Sequence, residues 1–228
     1  MSALALGLTA ALMWGFHDIC VRFVSQKTPL MASLMAVLVT GTLFHITVMF
    51  ARSSEFAVPS AVLGWSITSG GFFLVASLGL YGAFQRGPVR LVAPIIASYP
   101  VLSVGWAVLN GVHISLSQWI AVLGIVLGVS LVAALSGDQE DETPPKAMTI
   151  VFALISSVGF AGTFALGQMA SAIAGELPVT LVTRLVAIAL LLLGMLALKL
   201  PLWPERNALP LLALIGVADG IALLCVNT

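Results

Sequence analysis

The hydrophobic profile constrains this chain before anything else does. Eight apolar runs, near residues 3–24, 29–51, 60–86, 90–110, 116–135, 147–173, 178–199 and 207–228, follow one another with short breaks. A helix that crosses the hydrocarbon core of a bilayer needs about 20 mostly apolar residues. Only 8% of the chain is charged and 60% is hydrophobic, against about 25% charged in a soluble domain. Too little polar material exists to coat an aqueous surface. In lipid every backbone N–H and C=O needs an internal partner, so apolar runs of this length become helices. The sequence therefore predicts an all-α polytopic membrane protein with about eight transmembrane helices. The first run has no basic stretch ahead of it and is too long for a cleaved signal peptide, so it reads as a retained helix.

Several function classes fall away. The formal net charge is zero, which leaves no electrostatic surface for nucleic acid. Cys20 and Cys225 both lie in apolar runs, so neither a disulfide framework nor a CxxC metal site is on offer. No HExxH, P-loop or zinc spacing occurs, and no cofactor or metal is expected. Gly64-Trp65-Ser66 and Gly128-Val129-Ser130 lack the second glycine of a nucleophile elbow. An enzyme is not expected; intramembrane hydrolysis through His17 or His45 is the remote alternative. The expected partners are the lipid bilayer and a small-molecule substrate. Monomer and homo-oligomer both stay open.

One segment is plainly aqueous. Ser136-Gly137-Asp138-Gln139-Glu140-Asp141-Glu142-Thr143-Pro144-Pro145-Lys146 holds four acids and two prolines, and it reads as a linker. The runs on its two sides resemble each other. Trp14-Gly15-Phe16 in the first run is matched by Val158-Gly159-Phe160 in the sixth, and Pro29 with its run by Pro178 with its run. The organisation predicted is a repeat over 1–136 with five helices, an acidic linker over 137–146, and an incomplete repeat over 147–228 with three. An odd number of helices per repeat inserts the second unit upside down, which is the inverted-repeat plan.

Trp14-Gly15, Tyr81-Gly82-Ala83-Phe84-Gln85-Arg86-Gly87-Pro88-Val89, Val92-Ala93-Pro94 through Tyr99-Pro100-Val101, and Gln118-Trp119-Ile120-Ala121 through Gly128-Val129 occur in this order. Together they resemble the EamA-like family of the drug/metabolite transporter superfamily. The resemblance implies ten helices in a 5+5 arrangement and a secondary transporter of the plasma (inner) membrane. Three departures stand out. Gly111 is followed by Val112-His113 where the family carries a Glu. The Arg expected early in the second helix of each half is present as Arg184 and replaced in the first half by Met35. By the repeat, Thr228 corresponds to about Gly82, so the chain reads as truncated after its eighth helix.

Charge inside apolar runs points to where chemistry would lie, because an ionised group in hydrocarbon needs a cavity or a partner. Trp14, Asp18 and Arg22 recur every four residues and drift around one helix face, with His17 on the other flank of Trp14. They read as a cavity wall in which Asp18 pairs with Arg22 one turn on. The bland alternative is an Arg22 that snorkels to the interface with Asp18 neutralising it. Arg184 and Asp219 read as further pathway residues or simply as partners of each other. Asn227, eight residues beyond Asp219, shares its face. Gln85 and Tyr99 are candidate substrate hydrogen-bonders beside Pro94 and Pro100, which break the fourth helix. His45 reads as interfacial. Gly124 and Gly128 form a GxxxG that reads as helix packing, with Gly70 and Gly71 doing the same elsewhere.

The count of Lys and Arg in loops places the N-terminus outside by the positive-inside rule, whereas the resemblance implies a cytoplasmic N-terminus; orientation stays open. The expected function is export of small organic metabolites or amino acid-like solutes by alternating access, with Asp18 and His17 as carriers if protons are coupled. The alternative is a truncated or non-transporting membrane protein that acts as an interaction partner, or a gene fragment.

Overall fold

The computed structural model describes residues 3–135 and 146–227. The acidic linker lies outside the described residues except for Lys146. The elements are α1 (Ala3–Ser25), α2 (Leu30–Ala51), α3 (Ser60–Arg86), α4 (Val89–Ile96), α5 (Tyr99–Leu109), α6 (Leu116–Leu135), α7 (Lys146–Ala174), α8 (Glu176–Ala197) and α9 (Leu209–Asn227), with one 3-10 turn before α9 and no strand among the described residues. Among the described residues, seven spans are long and apolar enough to cross a membrane, α4 and α5 together forming one of them over Val89–Leu109. The eighth expected span coincides with α6, an apolar helix of 20 residues. The protein is a multi-pass all-α membrane protein.

Proline sets several helix starts. Pro29, Pro59 and Pro88 are the N-cap residues of α2, α3 and α4, each with φ between −56 and −69° and an extended ψ of 125 to 149°. Proline suits this place because its φ is fixed near the helical value and the N–H it lacks would have no intrahelical partner. Pro178 instead falls in the first turn of α8, which begins at Glu176. Helix eight thus starts two residues before the expected run, since the first-turn amides of a helix need no partner within it.

The fourth expected helix is two helices. Pro94 lies inside α4, Pro100 in the first turn of α5, and Ala97 and Ser98 between them have ψ near zero. Neither proline can donate to the carbonyl four residues back. Ser98 Oγ donates to Ile95 O at 2.6 Å and lies 3.2 Å from Ser157 Oγ of α7. The break is thereby tied to a neighbouring helix.

Close packing depends on small residues at a few crossings. α3 and α7 form the tightest pair. A Cβ on Gly79 would sit 2.7 Å from Phe152 O, and one on Gly159 would sit 2.8 Å from the Ala76 backbone. Ser69 Oγ donates to Thr163 O across the same seam at 3.0 Å. Ser69 faces Thr163 and Gly79 faces Ser156, so the two helices are antiparallel. α9 packs on α2 in parallel: Gly216 lies against Val37 and Gly41, and Gly220 against Phe44. Small side chains let backbones approach closely enough for dispersion to hold helices together without a hydrophobic driving force.

The expectation for the GxxxG of α6 is corrected. A Cβ on Gly124 or Gly128 would meet nothing within 4 Å, and both residues are exposed. α6 rests mainly on α4 and turns its glycines away from the bundle. Gly70 does pack, against Val186 and Thr183 of α8, whereas Gly71 faces open space.

The helix pairing has a regular pattern. α3 packs on α7 and α1 on α9; α3 packs on α8 and α2 on α9; α2 packs on α8. Exchanging α1 with α7, α2 with α8 and α3 with α9 reproduces the same set of pairs.

Candidate functional site

A cavity of about 690 Å³ lies among α1, α3, α4, α5, α7, α8 and α9. The antiparallel α3–α7 pair and the parallel α2–α9 pair put the C-terminal ends of α2, α7 and α9 on the membrane face where α8 begins. The lining runs from that face, at Glu176 and Val226, to the α4–α5 break at Ala97. Its size suits a small organic molecule, for which pockets run from about 300 to 1,000 Å³.

α1, α8 and α9 meet in a polar cluster on the cavity wall. Trp14 Nε1 donates to Asp219 Oδ1 at 3.2 Å. Arg184 Nη2 donates to Asp219 Oδ2 in a short charged hydrogen bond. Asp219 thus bridges two helices through its two oxygens. The Arg184 side chain is completely buried, and its Nε and Nη1 have no hydrogen-bond partner. Its Cζ lies 5.7 Å from the centroid of the Phe73 ring, close enough for the ring face to attract the cation. Gly41 on α2 provides the space: a Cβ there would overlap Arg184 Nη1. An arginine buried this deeply is held by its one carboxylate and by a ring face.

The second polar pair lies one turn further along α1. His17 Nδ1 and Asp18 Oδ1 share a 2.9 Å hydrogen bond. The Asp18 side chain keeps 23% of its surface exposed, against 13% for Asp219. The His17 ring meets Tyr81 of α3 edge to face at 6.4 Å. This corrects the expected Asp18–Arg22 pairing. The partner of Asp18 is His17, while Arg22 Nη1 donates to Phe84 O at 2.7 Å and Gln85 O at 3.4 Å. Those carbonyls end α3, where the helix dipole favours a cation.

An aromatic wall completes the cavity. Tyr99 stacks on Phe164 at 5.2 Å, Phe164 on Phe160 at 6.4 Å, and Trp14 meets Phe164 edge to face at 6.1 Å. Phe160 in turn contacts Phe73 at 6.4 Å. The wall joins α1, α3, α5 and α7.

Of the residues singled out from the sequence, Trp14, His17, Asp18, Tyr99, Arg184 and Asp219 line one cavity. Arg22 and Gln85 do not; Gln85 is exposed at the end of α3. Pro94 and Pro100 flank the break, and Ala93 and Ala97 line the cavity beside them. The side chain of Asn227 lies outside the described residues. His45 is buried, not interfacial: it is 2% exposed, and Nδ1 donates to Gly41 O at 3.1 Å. Gln168, Ser171, Thr180 and Glu176 also line the cavity and escaped the sequence reading. Glu176 carried a signal, an acid at a helix start beside a Gly-Pro turn. The hydroxyl residues carried none, since serine and threonine in membrane helices commonly bond back to their own backbone.

The comparisons with known proteins agree with this arrangement. The model of the EamA-like transporter family matches residues 1–134. The chain belongs to the EamA-like transporter family. The family is one of membrane transporters. A similar protein from Methanocaldococcus jannaschii, itself uncharacterized, is 24% identical over 133 residues, covering 58% of this chain and 96% of its own length. That relative is therefore little longer than the match.

Proposed function

We propose that the protein is a secondary transporter of the plasma membrane that exports small organic metabolites or amino acid-like solutes by alternating access. The observation that carries this reading is the convergence of Asp18, His17, Arg184 and Asp219, from α1, α8 and α9, on one cavity. Ionisable groups at membrane depth are costly and mark pathways. Residues 1–136 and 147–228 are read as inverted repeats. The exchange pattern of the helix pairs and a relative of about one repeat's length support that division. Transport would rock one repeat against the other around the site. The His17–Asp18 hydrogen bond supports proton coupling, because imidazole is the side chain that most often carries protons and here it stands in the cavity against a carboxylate.

The test is solute flux in proteoliposomes, measured as counterflow and as uptake driven by a pH gradient. Asp18→Asn is expected to abolish the pH-driven component. Unchanged pH-driven flux in Asp18→Asn would remove Asp18 from the mechanism, and absence of any counterflow by the unaltered protein across a metabolite panel would overturn the transporter reading.

A further inference from the structure

The charges on the cavity wall are unequal. Its ionisable lining consists of Asp18, Glu176, Asp219, Arg184 and His17. Arg184 and Asp219 neutralise each other. Arg184 is also fully buried behind that pair, so it is poorly placed to receive a ligand anion. Glu176 has Arg52 within electrostatic reach. Asp18 has the His17 imidazole beside it as its ion-pair partner among the described residues and keeps more surface open than Asp219. With His17 neutral, the deep part of the cavity is negative at Asp18.

Next to that charge stands the aromatic wall. Trp14 is one turn from Asp18 on α1, and its ring touches Phe164, which stacks on Tyr99. Aromatic faces attract cations, most strongly when water is excluded, and tryptophan is the best of them. A carboxylate and several aromatic rings lining one cavity favour a ligand that is positively charged and partly apolar, and disfavour an anion by repulsion and desolvation. Hydroxyls of Thr163 and Thr180 and the amide of Gln168, all in the lining, would take up the remaining polar groups of such a ligand.

We infer that the cavity binds an organic monocation, an alkyl- or arylalkylammonium, with its charge against Asp18 and its apolar part on the Trp14–Phe164–Tyr99 wall. The inference takes its physiological meaning from the transporter reading, but the binding it describes stands without transport. Within the solutes proposed above it selects amines without a carboxylate and places their ammonium group at Asp18.

The experiment is equilibrium binding to the full chain purified in detergent. The probes are phenethylammonium, its neutral counterpart phenethyl alcohol and the anion 3-phenylpropionate. Phenethylammonium is expected to bind at least tenfold more tightly than the alcohol, with no saturable binding of the anion. Asp18→Asn should weaken the cation at least tenfold and leave the alcohol unchanged, while Asp18→Glu retains most of the preference. Trp14→Leu should weaken the cation severalfold more than the alcohol. Glu176→Gln should weaken the cation less than Asp18→Asn does, and retained alcohol binding in each variant reports that the cavity is still folded. Equal affinities for cation and alcohol, tighter binding of the anion, or an Asp18→Asn variant with undiminished cation preference would each overturn the inference. Cation binding without counterflow would refute the transporter reading and leave the site intact. Counterflow of carboxylates without cation binding would do the reverse.

Discussion

Asp219→Asn is the most informative single change in the bundle. Asparagine keeps the shape and keeps a carbonyl oxygen that can accept from Trp14 Nε1, which now donates to Asp219 Oδ1 at 3.2 Å. What it removes is the charge opposite Arg184. That guanidinium is wholly buried, and two of its nitrogens already lack hydrogen-bond partners. Removing one member of a buried ion pair leaves the other charge uncompensated and costs about 3–5 kcal/mol. The Phe73 face offsets about 1–2 kcal/mol of this at most, so the net loss should be about 1–4 kcal/mol. Arg184→Met in the same chain should recover most of it, because a flexible apolar side chain fills the space without a charge. Equilibrium unfolding in mixed detergent micelles, followed by tryptophan fluorescence, would measure the four corners of this double-mutant cycle. A loss below about 1 kcal/mol for Asp219→Asn, or a double variant that loses the full sum of the single changes, would refute the idea that Asp219 is what holds Arg184 in the membrane.

The α3–α7 seam should be intolerant of size. Gly159→Val places a Cβ 2.8 Å from the Ala76 backbone and should cost about 1–3 kcal/mol by overpacking, whereas Gly124→Val on α6, where a Cβ meets nothing within 4 Å, should stay within about 0.5 kcal/mol; the same unfolding assay separates the two. Arg22→Gln removes the cation at the end of α3 and should destabilise by about 0.3–2 kcal/mol without changing solute affinity, which binding to the purified chain would check. Tyr99→Leu removes the ring stacked on Phe164 at 5.2 Å and should cost about 0.5–1.5 kcal/mol beyond the lost area, read by thermal unfolding against Tyr99→Phe.

The architecture was legible because lipid leaves a chain few choices. Runs of about 20 apolar residues must become helices, and Pro29 and Pro88, which stood out in the sequence, coincide with helix starts because proline suits an N-cap. The site was legible where charge stood out in hydrocarbon: Asp18, Arg184 and Asp219 were conspicuous for their cost, and the structure joins two of them directly. Partner choice was not legible. Asp18 and Arg22 have helical pairing distance, yet Arg22 reaches the end of α3, a choice fixed by how α1 crosses α3. Gly124 and Gly128 carry the packing pattern, but a small-residue stripe needs a facing helix, and the sequence does not say which stripe has one. Phe164 gave no signal, Phe160 stood out only as part of the Gly-Phe repeat, and Tyr99 only for its hydroxyl, since aromatic rings in an apolar run look the same whether they face lipid or a cavity.

Access of water to the deep end of the cavity puts the transport reading to its most direct trial. Ala97 lines the cavity at the α4–α5 break. A single cysteine there, in a chain with Cys20 and Cys225 replaced by alanine, can be challenged in proteoliposomes with a membrane-impermeant thiol reagent, with and without a solute that shows counterflow. Modification of Ala97→Cys, slowed at least severalfold by that solute, is the predicted result. A thiol that stays unmodified, or one modified at the same rate whether or not the solute is present, would contradict a solute pathway through this cavity.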